Sequence, residues 1–312
     1  MSLKRRVAII GTGNVGSTTA FALAVQGIVN ELVLIDIDER KAEGHAIDLE
    51  DAGAMFPVQI KVWANNWEKA AESGVLVLSA GPLPRPDQSR LDTLEDAKQI
   101  VNSVIPKIIG LGFGGIIINI TNPCDVAAHC VWKKSGLPPE RVFGTGTMLD
   151  SLRLKKIIAK LAGTAPSSIE GFSLGEHGDS QMVPFSHIRA GGKPFLELAE
   201  EREELKNADL EDLRRQVSHA GWEVLLRKGH TSYGIAAAAA GAVRAVLNDE
   251  KRILPASVLL RGEYGLSGLH IGVPALIGEG GAEKVIELRL PPEELAALAA
   301  SASVIKSYIE RL

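Results

Sequence analysis

The sequence predicts an α/β protein: a parallel sheet in the first half, then a mixed α/β region with antiparallel strands. Three observations carry this. Short β-branched or apolar runs alternate with helix-length stretches through the first half, the signature of βαβ units. The pattern changes at Phe143-Gly144-Thr145-Gly146, where the alternation stops. From Ser257 to Leu288, short alternating runs broken by glycines read as an antiparallel meander. A chain of 312 residues is long enough for two packed domains, and the division is expected at 1–145 and 146–312.

Element by element, Arg6–Ile10 reads as a buried strand, Val15–Gln26 as a helix and Glu31–Ile35 as a second strand. Ala42–Asp51 is helical, Val58–Trp63 a strand, and Val75–Ala80 the next apolar run. Leu94–Leu111 reads as a helix and Gly115–Ile120 as another strand. Past the change in character, a helix is expected over Leu149–Leu161, then a strand leading into the Glu176-His177 loop. A charge-rich helix around Glu200–Leu226 and an Ala-rich one over Ile235–Leu247 follow. Pro291-Pro292 opens a last amphipathic helix, with Leu295, Leu298, Ala302, Ile305 and Ile309 on one face.

Bulk composition excludes several classes. Hydrophobic content of 46% with 23% charged residues fits a globular chain rather than a disordered one. The net charge of −4 comes from mixed signs, and no basic stripe argues for nucleic acid or an anionic membrane. Val7–Ile10 is too short for a signal-peptide core or a membrane span. Cys124 and Cys130 give neither a disulfide framework nor a metal-ligand spacing, so no metal is expected. Two small core cysteines suit a reducing compartment, which places the protein in the cytoplasm.

A parallel sheet collects ligands at the carboxyl ends of its strands, here the Gly11 turn and the segments after Ala80-Gly81 and Ile120. Gly11-x-Gly13-x-x-Gly16 follows a predicted strand and opens a predicted helix, with Asn14 and Val15 between the glycines. That context suits a tight turn, close backbone approach to a pyrophosphate and a helix N-terminus facing its charge. Alone the motif is weak. Asp36 strengthens it, because it ends the second strand about 20 residues after Gly16, where a carboxylate can accept the ribose hydroxyls of NAD. The same carboxylate repels a 2′-phosphate, so NAD is expected rather than NADP. Asn122 in Ile120-Thr121-Asn122-Pro123 fits either a hydrogen bond to the nicotinamide ribose or substrate, or a simple turn before Pro123.

Moving a hydride to or from a small 2-oxo or 2-hydroxy acid also needs a group that exchanges a proton. His177, set in Gly175-Glu176-His177-Gly178-Asp179-Ser180, suits this because imidazole titrates near neutrality. Asp150 is the candidate carboxylate that orients it. Arg153, three residues on, shares a helix face with Asp150 and offers a fork for the substrate carboxylate. Arg90, in the polar segment Arg85-Pro86-Asp87-Gln88-Ser89-Arg90, is placed to fold over substrate and polarise its ketone. His45, His129, His219 and His270 take the ordinary reading of surface or satisfied core residues.

These pieces together resemble the L-lactate/L-malate dehydrogenase family over essentially the full chain. The matching segments are Gly11-Thr12-Gly13-Asn14-Val15-Gly16, Asp36, Ile120-Thr121-Asn122-Pro123, Gly144-Thr145-Gly146-Thr147-x-Leu149-Asp150-x-x-Arg153, Gly175 to Ser180, and Lys228-Gly229-His230-Thr231-Ser232-Tyr233-Gly234. The resemblance implies a Rossmann domain followed by a substrate domain, and a homodimer or homotetramer. It implies His177 as proton donor and acceptor with Asp150 as partner, Arg153 on the substrate carboxylate and Arg90 as the mobile-loop arginine. Asn122 and Thr231 line the site by the same resemblance.

Substrate choice departs from both main family patterns. The loop position that is typically glutamine in lactate enzymes and arginine in malate enzymes is Pro84 here, followed by Arg85. Proline pairs with no second carboxylate, which favours lactate-type or bulkier aliphatic 2-oxo acids; Arg85 keeps malate dehydrogenase as the alternative. Asn66-Trp67 and the Glu176 and Lys228 segments are similar to the L-2-hydroxyisocaproate dehydrogenase branch. Where fructose 1,6-bisphosphate-activated relatives use arginine and histidine, this chain has Lys155 and Glu170, so no such activation is expected. A catalytically silent NAD-binding protein is the alternative of another class, and it has no need of His177, Asp150, Arg153 and Arg90 together.

Overall fold

A computed structural model describes residues 5–82, 90–201 and 203–311. In chain order the elements are β1 (Arg6–Ile10), α1 (Asn14–Val25), β2 (Glu31–Ile35), α2 (Glu39–Ala52), β3 (Lys61–Ala64), α3 (Trp67–Ala71), β4 (Val75–Leu78), α4 (Arg90–Gly110), β5 (Ile116–Asn119), α5 (Cys124–Ser135) and β6 (Val142–Gly144). The second half continues with α6 (Met148–Ala162), β7 (Ile169–Glu170), β8 (Arg189–Ala190), β9 (Lys193–Pro194), α7 (Phe195–Glu201), α8 (Glu203–Lys206), α9 (Leu210–Lys228), α10 (Tyr233–Leu247), β10 (Arg252–Arg261), β11 (Ser267–Gly278), β12 (Gly281–Val285) and α11 (Pro292–Ile309).

The first six strands pair in parallel in the order β6-β5-β4-β1-β2-β3. This is the doubly wound Rossmann arrangement, with its switch point between β1 and β4. β1, β4 and β5 are buried along their whole length, as a sheet covered on both faces requires. Alternation splits their side chains into two cores. Val7, Ile9, Val75, Val77 and Ile118 face one layer, while Ala8, Ile10, Leu76, Leu78 and Ile117 face the other. The Ala-rich α10 packs on α1 in the first layer, its small side chains allowing close approach.

The expected meander is present as β10, β11 and β12, paired antiparallel in sequence order. It also extends the parallel sheet, joining β6 through the antiparallel pair Ser257 and Gly144. A small antiparallel sheet of β7, β8 and β9 accompanies a third core between α6 and α9, with Leu154, Ile158, Val183 and Val217.

Several expectations are corrected in detail. The strand expected over Val58–Trp63 starts only at Lys61, and the run ending at Ala80 leaves the sheet after Leu78. The helix expected around Glu200–Leu226 is interrupted after Lys206, because the Asp209 side chain accepts from the Glu211 N–H and caps a new helix, α9. The strand leading into the Glu176-His177 loop is reduced to two isolated bridges, Leu174 with Met182 and Gly175 with Gly272. Among the described residues no helix is long and apolar enough to cross a membrane.

Candidate active site

The cofactor end sits at the switch point. Gly11 turns out of β1 with φ +94°, and a Cβ there would lie 2.5 Å from the Ala80 backbone nitrogen after β4. A Cβ on Gly16 would collide with the Gly11 carbonyl at 1.9 Å, so both positions need glycine. Gly13 differs, because nothing lies within 4 Å of the Cβ it lacks. It is the N-cap of α1 and makes no side-chain cap, so the first N–H groups of α1 face this open space. Asn14 is exposed at the start of α1 and Val15 is partly buried. Ala80 O accepts the Thr121 hydroxyl at 2.7 Å, which ties the chain after β4 to the turn after β5; Gly81 is exposed beside it.

Asp36 ends β2 with one carboxylate oxygen accepting from Thr12 N (2.6 Å) and Thr12 Oγ1 (2.8 Å) and the other from Asp38 N (3.1 Å). Burial opposes its charge, but the hydrogen bonds from Thr12 and Asp38 outweigh it and hold the pKa below the ordinary aspartate value. An ionised, oriented carboxylate at the edge of the glycine turn, with an uncapped helix end beside it, fits an NAD ribose and pyrophosphate.

The chemical end is built around one buried carboxylate. Asp150, 1% exposed in the first turns of α6, places Oδ2 2.6 Å from His177 Nδ1 and Oδ1 3.0 Å from an Arg153 guanidinium nitrogen. Burial would raise the Asp150 pKa and lower that of His177. The opposed charges reverse both: Asp150 is held below and His177 above its ordinary value. The structure therefore brings together His177, Asp150 and Arg153.

It also adds residues that sequence reasoning missed. Asp125, in the first turn of α5, accepts the His177 backbone N–H through Oδ2 at 2.8 Å and the Ser257 hydroxyl through Oδ1 at 2.5 Å. Burial pushes Asp125 up to about 6. Its one sequence signal is an acidic residue inside the largely apolar Cys124–Ala128 run. Ser301 from α11 accepts the Glu176 N–H at 2.8 Å, and Ser180 donates to the Glu176 carboxylate at 2.5 Å. Arg214 of α9 donates to the carbonyls of Asp179 and Gln181. The loop carrying His177 is thus held from α5, α9 and α11. Gly221 of α9 faces Arg153; a Cβ there would come within 3.3 Å of the guanidinium.

Other candidate residues sit less centrally. Asn122 is exposed in the turn between β5 and α5, and Thr231 is half-buried just before α10. Arg90 is the first residue of α4, but its side chain lies outside the described residues, as do Pro84 and Arg85 entirely. Cys124 is buried and Cys130 partly buried, both unpaired. Among the described residues no group of three or more His, Cys, Asp or Glu is arranged to hold a metal.

Comparison with known proteins agrees over the whole chain. A domain described as lactate/malate dehydrogenase, NAD binding domain, matches residues 5–144, and the lactate/malate dehydrogenase alpha/beta C-terminal domain matches 147–312. L-lactate dehydrogenase 3 of Bacillus cereus is 43% identical over 309 residues, covering 99% of this chain and 98% of that one. L-lactate dehydrogenase of Lactococcus lactis subsp. cremoris is 39% identical, with 99% and 98% covered. Among solved structures, the minor L-lactate dehydrogenase of Enterococcus mundtii in its ligands-bound form superposes with a TM-score of 0.96 at 39% identity, covering 99% of this chain and 98% of that one. Cryptosporidium parvum malate dehydrogenase superposes at 0.94 with 29% identity and 99% of each chain covered.

Proposed function

The chain belongs to the lactate/malate dehydrogenase family, and from that premise we propose that it is an NAD-dependent L-2-hydroxyacid dehydrogenase of the lactate type. The observation that carries this reading is the Asp150 carboxylate, which gives one oxygen to His177 and the other to Arg153. Residues 1–145 serve the cofactor and 146–312 the substrate.

Bound NAD supplies the acceptor or donor of the hydride. The protein supplies the rest. His177 Nδ1 is engaged by Asp150, which leaves Nε2 to give a proton to the substrate oxygen in reduction and take it back in oxidation. Asp150 remains a carboxylate, fixing the ring's tautomer and favouring the imidazolium. Arg153 spends one N–H on Asp150 and has further donors in its fork for the substrate carboxylate. Arg90 covers the substrate and polarises its ketone, while Asn122 and Thr231 line the site.

Two features support a substrate side chain as large as or larger than a methyl. Pro84 offers no charge for a second carboxylate, and Gly221 contributes no side chain beside Arg153. The second reading is malate dehydrogenase, with Arg85 taking the second carboxylate. We further place the protein in the cytoplasm as a homodimer or homotetramer.

The test is NADH oxidation at neutral pH with pyruvate, 2-oxoisocaproate, phenylpyruvate and oxaloacetate in parallel. Preference for pyruvate or a bulky 2-oxo acid is expected. Preference for oxaloacetate, abolished by Arg85→Ala, would replace this reading with the malate one. No turnover with any of them would leave the silent NAD-binding alternative.

A further inference from the structure

We propose that Asp125 is a positioning residue for His177: its carboxylate, braced by Ser257, anchors the histidine's backbone and supplies a second negative charge beside the imidazole. Three separated parts of the chain meet here. Asp125 is in the first turn of α5, Ser257 is in β10, and His177 is in the loop beyond β7. Asp125 is 2% exposed and Ser257 fully buried, so the two hydrogen bonds to the carboxylate, 2.8 Å from His177 N–H and 2.5 Å from Ser257 Oγ, are made away from solvent. Both are of the charge-assisted kind.

A carboxylate is a costly choice for this position. Desolvation disfavours its charge, and asparagine would fill similar space and accept the same N–H bond without that penalty. The hydrogen bonds alone therefore do not account for an acid. What the charge adds is a field at His177. The groups around the imidazole are Asp150 and Arg153 from α6, and Asp125 from α5; Glu176 precedes it in its own loop. Asp150 and Asp125 favour the protonated ring, and Arg153 opposes it. Asp125 in turn faces the repulsive Glu176 and the attractive His177. Its position at the start of α5 adds the favourable end of that helix dipole to its charge. The backbone anchor has a geometric consequence as well. Asp150 fixes the ring and Asp125 the main chain, so both ends of the residue are tied to buried carboxylates.

The kinetic side of this inference rests on the proposed dehydrogenase reading, whereas the titration of His177 does not. The experiment is an NMR titration of the His177 Cε1–H signal in the full chain, assigned by its loss in His177→Asn. Asp125→Asn keeps an acceptor for the His177 N–H and removes the charge. It is expected to move the His177 titration to lower pH, and to move the alkaline limb of kcat/KM for 2-oxo acid reduction the same way. Ser257→Ala removes the hydrogen bond that helps hold Asp125 ionised against burial, and is expected to lower kcat several-fold and to shift the His177 titration in the same direction as Asp125→Asn but by less. An Asp125→Asn protein that binds NADH normally and titrates at His177 like the original chain overturns the proposal. If that variant does not fold, the original protein decides: the His177 signal should show a second inflection near pH 6, where Asp125 titrates, and its absence overturns the idea. Lack of turnover with every 2-oxo acid would instead sink the dehydrogenase reading and leave the titration result standing.

Discussion

His177 and the pair His129 and His270 show what burial does to an imidazole with and without a counter-charge. His177 has Asp150 at 2.6 Å and Asp125 on its backbone, and its pKa lies above the ordinary value. His129 of α5 and His270 of β11 face each other with ring centroids 5.6 Å apart, and Trp132 packs on both. Neither Nδ1 has a hydrogen-bond partner among the described residues. Burial pushes His129 down to about 4 and His270 to about 3, with Lys133 and the neighbouring ring adding to it. The same side chain is therefore set up to hold a proton in one place and to refuse it in the other. Burial sets the stakes; the carboxylate decides the sign.

The sharpest way to break the comparison is the same exchange at both sites. His177→Asn removes the proposed proton donor and is expected to lower kcat by about 10²–10⁴-fold with NADH affinity unchanged. His270→Asn removes a ring outside the proposed proton transfer and should leave kcat within about twofold. Steady-state kinetics and NADH fluorescence titration read both. Near-normal turnover in His177→Asn would remove the histidine from its proposed role.

A smaller effect comes from the third member of the His177 cluster. Arg153→Lys retains a positive charge but loses the fork that can serve Asp150 and a substrate carboxylate together. Losing one charge-assisted hydrogen bond costs about 1.5–3 kcal/mol, so KM for the 2-oxo acid should rise about ten- to a hundredfold. An unchanged KM would mean that another residue holds the carboxylate.

The two histidine sites also differ in how far the sequence exposes them. The Gly11 turn and Asp36 were legible because their chemistry is local: backbone geometry, a helix end and one strand end in a known order. Asp150 and Arg153 were legible for a similar reason, since helix periodicity puts them on one face. Asp125 with Ser257, and Ser301 with Glu176, were not. Those pairs are 132 and 125 residues apart, and only tertiary folding brings them together. Likewise the pairing of His129 with His270 depends on α5 packing against β11, which no local pattern encodes. The break before Asp209 was not legible either: an aspartate inside a long charged run can continue a helix or cap a new one, and nothing local decides between them.

The comparison also bears on stability, where the two regions work against each other. A proton on His129 or His270 is taken up by the unfolded chain below about 6.5 and resisted by the folded one until about 4 or 3. Their contribution to stability is thus complete above 6.5 and is lost as pH falls through that window. His177 has the opposite sign: its raised pKa contributes stability that is complete below 6.5 and lost as pH rises through the folded value. Between pH 7 and 5 the His129 and His270 term should dominate, lowering stability on the order of 2 kcal/mol for each ring. Glu72, held down to about 2 by Arg6 and Lys69, does not titrate in this range, whereas Asp125, pushed up to about 6 by burial, takes up a proton within it and offsets part of the drop. Urea unfolding at pH 7 and pH 5 measures the drop, and His129→Phe should reduce it. Any packing penalty of phenylalanine enters at both pH values and cancels in the difference. A drop that is undiminished in both His129→Phe and His270→Asn would show that the buried rings are not its source; the His177 cluster cannot supply it, because its sign is opposite.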